Sequence, residues 1–519
     1  MNNLSFFNRI LSLSLCLIFY SCSTTGENTL PDPEIRDGVA KLSGRITNFH
    51  LIIGNRNNLT LNLLIPYPVT AEPFIIQKKS VNEDGTFGFE VLMQSNYAVG
   101  TFGLDGVRGF LVCLTAGKET KLDIIYDQTT HRLKITNHPD SLGLTATDLM
   151  TMLVVSNQLI NNRPPGLTGY DKTPKEFVQR RKIILDYQLK MLAENDSLFK
   201  EPPLSEIAKN FVAKHIKIEH LDLYYFDYKR RMRVNYSNAG NKDAENFNIP
   251  ELDRKYYAFL KDFNLNNPQY LYAWKYSEVL QRILSDEILN IPPIGDTPVE
   301  QWLKEVKKIL SKLLGFNKGL FYDMLAANSY ARQFNVELRP LSDKQRENIN
   351  NYFKGKKEDF AKILLRKNEE IIRLAAWKDP LVVNEIPAVP KEDLMNTIIS
   401  KYRGKVVILD FWTTWCPPCI DAMQEYRKVK GELQGRELVF VYLSNATSPQ
   451  KLWEETIKGI GGEHYYIEKE DDWVFLMDTF GFNSIPSYVI FDTKGEVRHK
   501  FTGYPGNERM LAMIEKLLP

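Results

Sequence analysis

The sequence predicts a multidomain chain: an N-terminal small β-sandwich, a middle all-α region and a C-terminal α/β unit. Three observations carry that reading. From about 39 to 143, short apolar-rich runs alternate with turn residues. From about 144 to 384, apolar residues recur at helical spacing. From 385 to 519, strands of buried character alternate with helices. A chain of 519 residues has room for about three such units. Its composition, 43% hydrophobic and 25% charged, is that of a folded soluble protein. The net charge of +2 lies too near zero to argue for a nucleic-acid partner.

The first residues are read as an address rather than as fold. Asn8-Arg9 gives a basic start, and 10–20 is an apolar run too short to span a bilayer, which takes about 20 residues. The run ends at Phe19-Tyr20-Ser21-Cys22, and here the sequence resembles a bacterial lipoprotein signal. That resemblance implies that 1–21 is a removed signal peptide and that Cys22 becomes a lipidated N-terminus tethered to a membrane. An ordinary secretory signal cut near Ser23 or Thr25 is the alternative. Residues 22–38 are polar, carry Pro31 and Pro33, and read as a flexible tether.

In 39–143 the candidate strands are 42–50, 59–65, 87–93, 110–114, 122–126 and 133–136, with Asp84-Gly85 marking a turn before Thr86. Several short strands of this kind predict a small antiparallel sandwich. In 144–384 the clearest helix places Leu303, Val306, Ile309, Leu310, Leu313 and Leu314 on one face. Thr297-Pro298-Val299-Glu300 predicts a capping box ahead of it and Gly315 a stop. Ser342-Asp343-Lys344-Gln345 predicts a second box. The aromatic and basic stretch from Tyr224 to Arg231 reads as helical core with snorkelling cations rather than as a nucleic-acid platform. Asp379-Pro380 and the prolines at 387 and 390 place the last boundary near 384.

In 385–519 the run 405–412 reads as a buried central strand, followed by a helix over 417–431, a strand over 438–443 and helices over 449–458 and 473–480. A hairpin across Thr493-Lys494-Gly495 and a closing helix from Asn507 complete the unit.

The chain has five cysteines. Cys16 lies in the signal and Cys22 at its end, Cys113 falls in a strand and reads as a small core residue, and Cys416 and Cys419 form one CxxC pair. One close pair is redox machinery or half of a metal site. A structural zinc takes four ligands, and there is no second CxxC or close His pair, so no metal and no cofactor is expected. The pair stands where a buried strand enters a helix. Backbone N–H groups and the helix dipole there favour a thiolate, which is the attacking species. Cys416 is therefore the candidate nucleophile. Cys419, one turn inside the helix, is the candidate resolving thiol. Asp410, a carboxylate within the buried strand, should have its pKa raised by burial, which suits proton exchange with Cys419.

The run Asp410-Phe411-Trp412-Thr413-Thr414-Trp415-Cys416-Pro417-Pro418-Cys419 resembles the active-site segment of the thioredoxin superfamily, in its TlpA/ResA-like branch, over about 385–519. The resemblance implies a thioredoxin-like fold and a redox-active Cys416–Cys419 disulfide. It matches Ser484-Ile485-Pro486-Ser487 to the cis-proline loop, with Pro486 cis and the Ile485 backbone, together with Trp415, contacting substrate. It implies a periplasm-facing, lipid-anchored thiol–disulfide oxidoreductase of the cell envelope. Such an enzyme reduces disulfides of exported proteins and draws on a membrane thiol electron donor. A disulfide oxidase or isomerase is the alternative, as is a substrate-binding lipoprotein whose redox unit only keeps a partner reduced. One departure is visible: the branch commonly carries Glu three residues after the second Cys and Pro two residues later, where this chain has Ala422 and Gln424.

Overall fold

The computed structural model describes residues 29–52, 60–104, 107–138, 142–194, 201–241, 243, 247–335, 337, 339–375 and 380–519. The expected signal peptide, with Cys22 at its end, and the start of the tether lie outside the described residues.

Among the described residues of the N-terminal part there are eight strands: β1 Ile35–Thr47, β2 Thr60–Tyr67, β3 Glu72–Ser80, β4 Thr86–Ser95, β5 Tyr97–Leu104, β6 Val107–Thr115, β7 Glu119–Asp127 and β8 Arg132–Asn137. They run in the order β3-β2-β5-β6-β8-β7-β1-β4. Among the described residues one backbone bridge, Arg108 to Arg132, joins the half β3-β2-β5-β6 to the half β8-β7-β1-β4. Alternate residues of β4 (Phe87, Phe89, Val91 and Met93) are buried, as a half-exposed strand requires. Phe87 meets Phe102 of β5 at 5.1 Å between ring centroids, so the inner faces of the two halves pack on each other.

The expected antiparallel pairing has two exceptions, β1 with β7 and the β6–β8 bridge, both parallel. β4 already occupies the antiparallel edge of β1, and β7 returns to its other edge after a long excursion. Two strands went unanticipated. β5 contains Gly100 and Gly103, which weaken the strand signal. At Gly100 a Cβ would lie 2.6 Å from Leu64 O and 2.3 Å from Ile65 Cδ1, so only glycine permits the close approach to β2. β3 ends in Lys78-Lys79-Ser80, polar enough to read as loop.

Among the described residues nine α-helices follow: α1 Ala146–Asn161, α2 Pro174–Glu194, α3 Glu206–His220, α4 Tyr228–Asn238, α5 Tyr276–Ser285, α6 Val299–Leu314, α7 Leu320–Asn335, α8 Asp343–Phe353 and α9 Phe360–Ala375. The Ser342–Gln345 box caps α8 reciprocally, and Gly315 ends α6 in the left-handed region at φ 83°. The box at Thr297 does not form. Pro298 takes the cap position in extended backbone, so α6 begins one residue later than expected, and Thr297 N–H bonds Ile294 O instead. Tyr224, Tyr225 and Tyr228 are buried, and the Arg231 guanidinium lies 4.5 Å above the Tyr224 ring.

One continuous apolar core runs from Leu30 to Ile371 and takes in both strands and helices. Trp274 Nε1 donates to Val99 O (3.2 Å), Asn328 Nδ2 to Pro68 O (2.8 Å), and Lys367 pairs with Glu72 at 2.9 Å across the same junction.

The C-terminal unit comprises β9 Leu381–Asn384, α10 Lys391–Ser400, β10 Val406–Phe411, α11 Pro417–Glu425, α12 Arg427–Glu432, β11 Leu438–Asn445, α13 Gln450–Ile460, β12 Gly462–Ile467, α14 Glu470–Phe480, β13 Ser487–Phe491, β14 Val497–Thr502 and α15 Asn507–Glu515. Its sheet runs β14-β13-β10-β11-β12-β9, parallel from β10 to β9 and antiparallel at β13 and β14. β10 is central and buried on both faces, as its unbroken apolar sequence predicts. Val406, Ile408 and Trp412 face one cluster; Val407, Leu409 and Phe411 face the other.

Three details differ from expectation. The sheet includes β9, ahead of the boundary expected at 384. The segment 459–472 contains β12, whose Gly462-Glu463-His464 start hid it. The helix expected over 417–431 breaks at Tyr426, which closes α11 and opens α12.

Candidate active site

β10 ends at Phe411 and the chain turns directly into α11, so the CxxC sits at the helix start. Cys416 is the N-cap and Pro417 opens the helix, where its missing N–H costs nothing. Cys416 Sγ accepts the backbone N–H of Cys419 at 3.3 Å, and the two cysteines are joined by a disulfide. Both sulfur-bearing side chains are buried.

Two loops flank them. The Ile485–Pro486 peptide bond is cis. Gly503 N–H donates to Pro486 O (2.8 Å) and Ser487 Oγ to Ser484 O (2.7 Å), which fixes the loop. Ile485 packs, partly buried, against the apolar cluster that contains both cysteines. On the other side, the β11–α13 loop holds the approach to the CxxC. Thr414 N–H donates to Ser448 Oγ (3.0 Å), and Trp415 Nε1 donates to Thr447 Oγ1 (2.9 Å), whose own hydroxyl donates to Asn445 Oδ1 (2.6 Å). Trp415 is 59% exposed, the most exposed large apolar side chain of those described, while Trp412 is fully buried.

Asp410 lies on the same sheet face as Ile408 and Trp412, in register with Tyr442 of β11 and Tyr488 of β13. It is 1% exposed. Its Oδ2 accepts the Tyr426 hydroxyl at 3.0 Å and its Oδ1 has no hydrogen-bond partner. Burial pushes its carboxyl up to about 8, against the opposing pull of the Tyr426 hydroxyl and the Lys430 charge. Tyr426, Lys430 and Thr447 were missed in the sequence. A signal existed for two of them: Cys419, Met423, Tyr426 and Lys430 follow helical spacing, which puts a tyrosine and a lysine on the buried side of the helical run after the CxxC, across α11 and α12.

Ala422, where the resemblance leads one to look for Glu, is buried, and Gln424 is half-buried. Cys113 is buried in β6.

A disulfide at a strand-to-helix turn, with a buried carboxylate in the preceding strand and a cis-proline loop packed on the cysteines' apolar cluster, defines a thioredoxin-like thiol–disulfide centre. A family model described as a thioredoxin-like domain matches residues 395–518. The sporulation thiol-disulfide oxidoreductase A of Bacillus subtilis is 30% identical over 137 residues, 25% of this chain and 82% of that protein. The thiol-disulfide oxidoreductase ResA of Halalkalibacterium halodurans is 28% identical over 132 residues, 25% of this chain and 72% of that protein. The thiol:disulfide interchange protein DsbE of Haemophilus influenzae is 24% identical over 145 residues, 27% of this chain and 77% of that protein. Through this C-terminal quarter, the chain belongs to the ResA-like thiol–disulfide oxidoreductases of the thioredoxin superfamily.

Proposed function

We propose that the protein is a lipid-anchored thiol–disulfide reductase of the cell envelope that acts on disulfides of exported proteins. The observation that carries the reading is the Cys416–Cys419 pair at the N-terminus of α11, packed against the cis-proline loop. In the reduced enzyme, the Cys416 thiolate attacks a substrate disulfide. One substrate sulfur leaves as thiolate and a mixed disulfide forms. Cys419 gives its proton to Asp410 and attacks Cys416 Sγ, which releases the second substrate thiolate and closes the Cys416–Cys419 bond. Two electrons have passed to the substrate, and a membrane thiol donor restores the dithiol. The exposed Trp415 indole and the Ile485 backbone beside cis-Pro486 receive the substrate chain. Cys22 supplies the anchor. Among the described residues no helix is long and apolar enough to cross a membrane.

The direction of electron flow is tested by equilibrating the couple against glutathione. A potential at or below about −250 mV is expected for a reductase, whereas one between about −120 and −180 mV would turn the assignment to an oxidase or isomerase. Cys419→Ser is expected to accumulate mixed disulfides through Cys416, seen as reductant-sensitive adducts on non-reducing gels. Cys416→Ser is expected to give none.

A further inference from the structure

Past the cysteines, the junction of α11 with α12 and α12 itself place two polar side chains that a buried helix face does not need for packing. Tyr426 is fully buried, stacks on Phe440 at 5.6 Å and donates to Asp410 Oδ2 at 3.0 Å. Lys430, one turn further along, is also buried, with its ammonium 4.6 Å above the Phe440 ring and 5.2 Å from that of Tyr442. A buried hydroxyl and a buried ammonium each carry a desolvation cost of kcal/mol size, so their presence here calls for a reason. The groups around the carboxyl are Tyr426 and Lys430 from the helix side, Tyr442 and Tyr488 from the neighbouring strands, and Tyr504 and Glu425 at the periphery. Tyr426 donates to one oxygen of Asp410, and the other oxygen has no hydrogen-bond partner.

We propose that Tyr426 is a positioning residue for the resolving step: its hydroxyl holds Asp410 Oδ2, so that Oδ1 is the oxygen that takes the Cys419 proton, and Lys430 supports the resulting charge balance. The inference rests on the proton-acceptor role given to Asp410 above. In the step, the Cys419 S–H proton moves to Oδ1. The Cys419–Cys416 bond forms, the Cys416–substrate bond breaks, and the electron pair leaves on the substrate sulfur. The tyrosine keeps its own proton throughout. It is suited to that because burial raises it well above its ordinary range. A hydrogen bond donated to a carboxylate favours the charged form, so Tyr426 keeps the acceptor available at lower pH than burial alone would allow. Lys430 acts in the same direction through its charge.

The test is a single-turnover reaction of the reduced full-length chain with glutathione disulfide from pH 5 to 10. Release of the first glutathione reports attack by Cys416, and release of the second reports resolution by Cys419. Tyr426→Phe is expected to move the midpoint of the second release up by about one pH unit, a tenfold loss of carboxylate on the acid side, and to leave the first release where it was. In an Asp410→Asn background the same change is expected to do nothing. An unchanged second midpoint in Tyr426→Phe, with Asp410→Asn altered, overturns this proposal alone. An unchanged profile in Asp410→Asn overturns the acceptor role itself and the proposal with it. Should Tyr426→Phe fail to fold, the wild-type chain labelled at tyrosine Cζ decides: a Tyr426 resonance that titrates with the second-release midpoint supports the proposal, and one that does not titrate overturns it.

Discussion

Asp410 shows how a single side chain is tuned by where it stands. A carboxyl with a folded pKa of about 8 and an ordinary value of 3.8 binds its proton more tightly when folded. Between about pH 4 and 8 the folded protein therefore holds a proton that the unfolded chain has released, and stability falls as pH rises through that window. Asp410→Asn removes this loss. We expect the oxidised variant to match the wild type near pH 4 and to exceed it by about 2–5 kcal/mol at pH 8, measured by denaturant unfolding at a series of pH values. A variant advantage independent of pH would show that the carboxyl is not so perturbed. Trp415 is the opposite case, an exposed apolar side chain held in place by one hydrogen bond to Thr447. Thr447→Val should release the indole. The cost is about 1 kcal/mol, seen as a roughly fivefold rise in KM for a protein disulfide with little change for a small one.

At the scale of elements, sequence and structure agree where a residue's chemistry is local. The CxxC, the proline after Ile485 and the carboxylate in β10 are short motifs whose neighbours declare them. β10 is equally legible, because six successive buried residues can hardly be anything else. Elements defined by partners distant in the chain were hidden. β5 is glycine-bearing because β2 passes close by, and no sequence window contains that fact. β12 and β9 are strands chiefly because β11 and then β12 offer them an open edge. Tyr426 and Lys430 follow helical spacing from Cys419, but that spacing says nothing of their bond and charge toward Asp410, a residue of the preceding strand. Glycine at β1 makes the same point testable. A Cβ at Gly44 would lie 2.0 Å from Leu122 O and 2.8 Å from Phe87 Cζ, between two paired strands. Gly44→Ala is expected to destabilise the N-terminal part by more than about 2 kcal/mol while leaving the disulfide exchange of Cys416 and Cys419 intact, checked by calorimetry and by activity on glutathione disulfide.

For the whole molecule, the apolar core of 30–371 and the two clusters flanking the C-terminal sheet have no residue in common. Two cooperative units are therefore expected, with two calorimetric transitions, of which Gly44→Ala lowers only one. A chain of 380–519 alone should fold with β9 in place and keep its exchange with glutathione, whereas one beginning at 385 lacks an edge strand and should be less stable. A single transition shared by both halves would show that the cores are coupled.

The position of β9 also has a geometric consequence. The last helix of the upstream part ends at Ala375 and the C-terminal sheet begins at Leu381, so the connection is six Cα steps long. Fully extended, that is a leash of about 20 Å. The dithiol therefore stays inside a volume around the end of α9 bounded by that span plus the width of its own unit. A client gripped by the upstream part within that volume would meet the thiols at millimolar effective concentration, while one gripped elsewhere would never be touched.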